Sequence, residues 1–166
     1  MSRNGSQMRL QRILAPVDFS ESMPGTLQCA AAFAREYGAA VTLLHVVRLD
    51  RSCNTRAATR AQAAEEIREA EECQLNQLID VLWANEVEAE AVVAIGKPHR
   101  QIVNEAREAN ADIIIMGRHG PVGTWGLFRC NTVSKVVRCA PCPVLVIPLF
   151  GRGLPVGSRM LRSMDN

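Results

Sequence analysis

The sequence lacks any apolar segment long enough to span a membrane, and its N-terminus lacks the apolar stretch of a signal peptide. The chain also has little excess charge of either sign, because 19 Lys and Arg oppose 17 Asp and Glu and leave a formal net charge of +2. This excess is too small to indicate a nucleic-acid-binding surface. We therefore expect a cytoplasmic protein that binds neither a membrane nor nucleic acid.

Two arrangements typical of ATP-hydrolysing enzymes are missing as well. The chain contains no Gly-x-x-x-x-Gly-Lys-Ser/Thr loop, and no cluster of carboxylates offers a magnesium site. No side chain stands out as a catalytic base. The sequence thus favours binding over turnover, with at most a weak ATPase activity.

The six cysteines include a Cys-x-x-Cys pair, Cys139 and Cys142, with the spacing of redox and zinc sites. A redox pair opens a helix, whose N-terminal field lowers the thiol pKa, whereas this pair follows a predicted helix; a zinc ion would need two more ligands. Because the sequence has no export signal, we expect reduced cysteines and no metal.

Turning to what is present, the 166 residues are 48% hydrophobic, which suits one globular domain over residues 10–148 with flexible ends at 1–9 and 149–166. Apolar periodicity and turn residues predict strands and helices in strict alternation. This order is typical of an α/β fold, a parallel sheet with helices on both faces. The predicted strands are 12–18, 41–47, 90–95, 111–116 and 143–147, and the predicted helices are about 20–37, 58–85, 102–111 and 131–138.

The most informative segment is the glycine loop that follows the fourth predicted strand. The apolar run ends at Met116, and Gly117-x-x-Gly120 begins there, with His119 as an added donor inside the loop. Glycine lets the backbone approach an anion without a Cβ in the way, and ligands of open α/β sheets collect at the carboxyl ends of strands. The alternative is a plain tight turn that needs a positive φ. The context favours a phosphate site.

Polar residues occur at two other places that are expected at the same edge. Asp18 ends the first strand, where it can accept from an adenine amino group or a ribose hydroxyl, or cap the first helix instead. Asn131 and Thr132 begin the last helix, where their side chains and backbone N–H groups can face an anion. Both roles of Asp18 stay open.

These pieces together resemble the universal stress protein family over most of residues 10–148. The similar segments are Pro16-Val17-Asp18-Phe19-Ser20, Val41 to Val46, Gly96-Lys97-Pro98, Met116 to Gly120, and Ala140 to Val146. The resemblance implies a five-stranded, Rossmann-like parallel sheet of the adenine nucleotide alpha hydrolase-like type. It also implies a homodimer paired through the last strand, Val144–Ile147, and a protein partner of unknown identity.

The same resemblance implies ATP, or ADP or AMP, as a ligand, with or without Mg²⁺. Asp18 and Val41 would hold the adenine, Gly117 and Gly120 the ribose and phosphates, and Asn131 with Thr132 the terminal phosphates. The complete set of implied contact positions is Pro16, Asp18, Val41, Met116, Gly117, His119, Gly120, Cys130, Asn131 and Thr132.

Cys130 stands where the nucleotide-binding branch of the family has a third glycine. This departure leaves two main hypotheses: an ATP-binding dimer that acts as a stress-response or signalling switch, and a nucleotide-free dimeric interaction module of the same fold. A slow ATPase is a third and weaker one.

Overall fold

The computed structural model describes residues 9–20, 22–48, 57–118 and 131–148. Five strands form one sheet in the order β3-β2-β1-β4-β5, and every neighbouring pair is parallel. The predicted five-stranded α/β fold is therefore confirmed. The elements are β1 (Arg12–Val17), α1 (Met23–Tyr37), β2 (Ala40–Val47), α2 (Ala57–Trp83), β3 (Ala89–Ile95), α3 (Pro98–Glu108), β4 (Ile113–Gly117), α4 (Asn131–Cys139) and β5 (Val144–Ile147).

Each face of the sheet carries its own apolar core, because successive side chains of a strand point to opposite faces. Ile13 and Ala15 of β1 belong to the core under α1 and α2, whereas Leu14 between them belongs to the core under α3 and α4. The first core also contains Leu75 and Leu82 of α2. Helices thus cover both faces, as the alternating element order requires.

Several predicted details differ in the structure. Helix α3 begins at Pro98 rather than at 102, because proline has the φ of a first helical turn and lacks only an N–H that would find no partner there. Gly117 is the last residue of β4 rather than part of the loop. The spacing of Cys29 and Cys73 predicts a helix core for both, but Cys29 is buried and Cys73 is exposed.

The strand order reverses at β1, which has β2 on one side and β4 on the other. The register pairs Ile13 with Ile113 and Leu14 with Ile114. Continued to the carboxyl ends, it sets Pro16 beside Met116 and Val17 beside Gly117. The residues that follow β1 and β4 therefore flank one crevice, the switch point at which open α/β sheets bind ligands.

None of the helices within the described ranges is both long and apolar enough to cross a membrane.

Candidate functional site

Asp18 organises the turn between β1 and α1. Its Oδ1 accepts a hydrogen bond from the Ser20 hydroxyl at 2.7 Å and lies 3.4 Å from the Ser20 backbone N. The Ser20 hydroxyl is also 3.0 Å from the hydroxyl of Ser22, and the Ser20 carbonyl accepts from the Met23 backbone N–H. A chain of polar groups thus runs from the exposed carboxylate into the first turn of α1.

Gly117 lies directly against that first turn. A Cβ added to it would lie 2.5 Å from Ser22 Oγ, 2.8 Å from Ser22 Cβ and 3.0 Å from Thr26 Oγ1. The φ of Gly117 is outside the left-handed region, so the turn interpretation that requires a positive φ does not hold here. Glycine at the end of β4 is required because the helix approaches the strand so closely.

Ser22 and Thr26, the two residues that an added Cβ would meet, are themselves buried, with 6% and 1% of their surface exposed. The Thr26 hydroxyl donates to the Ser22 carbonyl at 3.1 Å. Ser22 occupies the N-cap position of α1 but makes no side-chain cap hydrogen bond. The helix start is therefore fixed by packing against β4, and this packing holds the Asp18 turn beside the β4 end.

Phe19 completes the turn with an unusual backbone, a left-handed φ of 54°. Its ring lies 4.9 Å, centroid to centroid, from the ring of His45 at the end of β2. His45 Nδ1 donates to the Val17 carbonyl at 3.0 Å. His45 is thus a positioned core histidine that ties β2 to the Asp18 turn.

Glu71 of α2 faces the other ring nitrogen of His45, with its Oε2 3.7 Å from Nε2. This oxygen is buried and accepts no hydrogen bond from the described residues. The acidic residues that recur along α2 predict a solvated side that includes Glu71, so the sequence does not reveal this neighbour of the site. The available signal was spacing, because Glu71 lies one helical turn before the buried Leu75.

Four of the predicted contact residues come together at the switch point. Asp18 is exposed beside Pro16, and Gly117 follows Met116 across the crevice. Met116 packs into the second core and is only 5% exposed, so it supports the crevice floor from below. His119, Gly120 and Cys130 lie outside the described residues.

Val41 is not brought to this edge, which corrects its predicted place beside the adenine. It lies near the amino end of β2, in register with Ile13 at the start of β1, and is fully buried. Only the carboxyl ends of parallel strands reach the switch point. Because Val17 pairs with His45, the β2 residue that adjoins Asp18 is Val46, which is half-buried.

Asn131 and Thr132 are the first two residues of α4, as predicted, and Thr132 is half-buried. Since α4 follows β4 and packs on β5 and α3, its N-terminus lies at the same edge of the sheet. No group of three or more His, Cys, Asp or Glu side chains among the residues that the structure describes could hold a metal ion.

Comparison with known proteins identifies the family to which this chain belongs. The profile of the universal stress protein family matches residues 9–148, from just before β1 to just after β5. The chain belongs to the universal stress protein family. Its relatives include the universal stress protein MJ0577 of Methanocaldococcus jannaschii, 28% identical over 82% of this chain and 94% of that protein.

Solved structures of this family share the fold. That of MJ0577 superposes with a TM-score of 0.74 at 26% identity, covering 84% of this chain and 96% of the other. The universal stress protein UspA of Lactobacillus plantarum gives 0.67 at 26% identity over 84% and 98% of the two chains. A universal stress protein of Archaeoglobus fulgidus in complex with dAMP gives 0.55 at 23% identity, over 84% and 98%.

Proposed function

We propose that this universal stress protein binds an adenine nucleotide, primarily ATP, at the carboxyl ends of β1 and β4. The observation that carries the proposal is the joined pair of features at the switch point. Asp18 presents an exposed carboxylate that is held in place by Ser20, and Gly117 leaves no side chain between the β4 end and the start of α1.

The roles of the residues follow from their chemistry. A carboxylate accepts hydrogen bonds, so Asp18 suits the adenine amino group or a ribose hydroxyl. Val46 replaces Val41 as the apolar contact of the base, because β2 reaches the crevice only at its carboxyl end. Asn131 and Thr132 supply backbone N–H groups at a helix start, where phosphates bind readily.

A neighbour of the same fold supports the ligand class. The Archaeoglobus fulgidus structure is a complex with dAMP, and at 23% identity the likeness itself extends to the fold alone. The nucleotide therefore comes to this chain as part of the proposal, on the strength of Asp18 and Gly117. Mg²⁺ is not part of the proposal, since no described group of carboxylates would hold it.

We further propose that the protein is a cytoplasmic homodimer and that nucleotide binding changes a surface seen by a protein partner. Support comes from β5, the last strand of the sheet order, whose four residues are all only half-buried. An edge strand offers backbone donors and acceptors to a second chain. Dimer formation through β5 would continue the sheet across two subunits.

The test is calorimetric titration of the reduced, nucleotide-stripped protein with ATP, ADP and AMP. Asp18→Ala is expected to weaken binding at least about tenfold, because a charge-assisted hydrogen bond is lost. Asp80→Ala, which removes an exposed carboxylate from α2, is the matched control and should bind like wild type. Circular dichroism checks that each variant is folded.

Two further variants separate the proposal from its rival, the nucleotide-free module that Cys130 suggests. Asp18→Asn keeps an acceptor for Ser20 but loses the charge, so it tells ligand contact from loop support. Cys130→Gly should tighten ATP binding if the third glycine position touches a phosphate. No heat in wild type and none after Cys130→Gly would instead favour the interaction module.

A further inference from the structure

Strand β3 lies at one end of the strand order, with β2 as its neighbour, so its other side is an edge of the sheet. The last five residues of the strand, Ala91–Ile95, are all apolar and only half-buried. An apolar edge strand with unpaired backbone groups can pair with another chain and start aggregation. The outer edge of β3 is therefore a place where the folded protein needs protection.

The hydrogen bonds between β2 and β3 show which backbone groups of β3 point outward. The Glu88 carbonyl accepts from the Val41 N–H at 2.9 Å, and the Gly96 N–H donates to the Val47 carbonyl at 2.9 Å. Because successive residues of a strand direct their backbone groups to opposite sides, the even-numbered residues from 88 to 96 face β2. The residues whose N–H and C=O groups face outward are Ala89, Ala91, Val93 and Ile95.

Trp83, the last residue of α2, covers the first of these outward carbonyls. Its indole Nε1 donates to the Ala89 carbonyl oxygen at 2.9 Å. Trp83 is nonetheless 61% exposed, so burial in the core does not explain why a large aromatic residue stands here. The indole N–H is a donor only, so it satisfies the carbonyl and offers no acceptor to an incoming strand.

Gln101 of α3 covers the last outward carbonyl. Its Nε2 donates to the Ile95 carbonyl oxygen at 2.8 Å. This contact depends on Gly96, because a Cβ there would lie 2.8 Å from Gln101 Nε2. Gly96 also has a φ of 146°, which residues with a side chain rarely adopt. The glycine turn after β3 thus lets the Gln101 amide reach the edge of the strand.

We infer that Trp83 and Gln101 close the outer edge of β3 to strand pairing with a second copy of this chain. Their hydrogen bonds occupy the two end carbonyls of the outward row, and the two residues between them form a stretch too short for stable strand pairing. With both edges of the sheet open, β5 of one copy could pair with β3 of the next, and such head-to-tail contacts would continue without limit. A closed β3 edge leaves β5 for assembly and stops this growth.

The test removes both donors and keeps most of their bulk, by combining Trp83→Phe and Gln101→Met in the whole chain. Neither new side chain has a hydrogen-bond donor, so the Ala89 and Ile95 carbonyls become available. In analytical ultracentrifugation, the mass of wild type should level off as the protein concentration rises. The double variant should gain mass beyond that limit, by about twofold at each step that joins two equal particles.

Hydrogen exchange measured by NMR reports on the edge residue by residue. In wild type, the outward N–H groups of Ala91 and Val93 should exchange faster than the inward N–H groups of Val92 and Ala94. In the double variant, the outward N–H groups should become protected as the concentration rises, because a second chain covers them. A sheet that is merely destabilised would instead lose protection at all four positions.

A rescue and a control make the test specific. Val93→Pro, added to the double variant, should restore the wild-type mass, because proline removes an outward N–H that β2 does not use. The matched control combines Tyr37→Phe and Gln77→Met, which change an exposed aromatic residue of α1 and an exposed glutamine of α2. It should assemble like wild type. Circular dichroism checks that each variant is folded.

The inference does not rest on nucleotide binding, and these measurements contain no nucleotide, so failure of the proposed function would leave them unchanged. A double variant with the mass of wild type at every concentration would overturn the inference. So would growth that Val93→Pro does not reverse, or outward N–H groups that already exchange as slowly as the inward ones in wild type.

Discussion

At the scale of single residues, Gly117 is the tightest constraint on the site. It lies at the end of a strand, and the neighbours of its missing Cβ include the Cβ of Ser22, which is bonded to the backbone and cannot swing aside. The glycine that the sequence interpretation assigned to a phosphate therefore has a packing role first. Both roles are compatible, because a backbone without a side chain can pack against a helix on one side and contact a ligand on the other.

We expect Gly117→Ala to lower the free energy of unfolding by about 1–3 kcal/mol, the usual effect of overpacking. Gly25→Ala in α1 is the matched control, since its added Cβ meets only Ile147 Cγ2 at an ordinary 3.5 Å. That change should stabilise the helix by ~0.5–1 kcal/mol. Urea unfolding measures both.

The side chain of Ser22, with which the added Cβ would clash, can also be removed. Ser22→Gly should recover most of the loss in the Gly117→Ala background, because glycine is tolerated at an N-cap and Ser22 makes no side-chain cap hydrogen bond. Additive losses in the double variant would show that the Ser22 contact is not the cause.

The sequence predicts a residue of this site correctly where a motif coincides with the end of a strand. Asp18 directly follows the apolar run of β1, Gly117 ends that of β4, and the strand order brings the two residues together. Val41 was placed wrongly because an apolar strand looks alike at both ends in sequence. The direction of the strand decides which end reaches the crevice, and that points to Val46.

At the scale of elements, α3 illustrates how charge is distributed along a helix. Its far end carries Glu105, where burial first and then the charges of Glu108 and Glu90 raise the pKa of the carboxyl. Glu90 is anchored in β3 by the Thr42 hydroxyl, which donates to its Oε1 at 2.9 Å. Three carboxylates thus repel one another near the C-terminal end of α3.

Glu105→Gln should therefore raise the free energy of unfolding at pH 7, by less than ~1 kcal/mol because solvent screens the half-exposed group. The folded state raises the pKa of this carboxyl, so the unfavourable charge is present above the folded pKa and absent below the ordinary value of ~4.3. The gain should vanish near pH 4. Urea unfolding at both pH values checks this.

Glu88→Gln is the matched control, because Glu88 is exposed just before β3 and does not contribute to the shift of Glu105. It should leave the stability unchanged at both pH values. A gain of equal size at pH 4 and pH 7 for Glu105→Gln would contradict the electrostatic explanation.

Element type and order were predictable from apolar periodicity, whereas the faces of α2 were not. Its acidic residues recur often enough to read as one solvated side, yet Glu71 turns inward toward His45. Ile67 recurs with the apolar residues of α2, which predicts a place on the buried face, yet it is 39% exposed. A helix of 27 residues needs only part of its apolar stripe for burial against the sheet, and periodicity does not say which part.

At the scale of the whole molecule, the outer edge of β5 is the place where the proposed dimer would form. The backbone N–H groups of Ile114 and Arg118 donate to the Pro143 and Ile147 carbonyls, so alternation directs the backbone N–H groups of Val144 and Val146 to the other side. Those donors face the place where a second sheet would pair.

Val146→Pro should therefore convert the proposed dimer into a folded monomer, because it removes an outward N–H and leaves the β4 ladder intact. Analytical ultracentrifugation measures the mass, and circular dichroism confirms the fold. Val137→Ser on α4, which changes an exposed apolar side chain but not the edge, is the control. A variant that remains dimeric would place the interface elsewhere.

The strand order has a consequence for how this chain reaches its fold. β1 lies at the centre of the sheet, but its neighbour β4 comes late in the chain, and the Asp112 carboxylate that binds the Gln11 and Arg12 backbone N–H groups is 101 residues from Gln11. On the ribosome, β1, β2 and β3 are complete while one side of β1 still waits for a neighbour. Until β4 emerges, that open side can pair with another nascent chain, so a strand that ends up in the middle of the finished sheet is an exposed edge during synthesis.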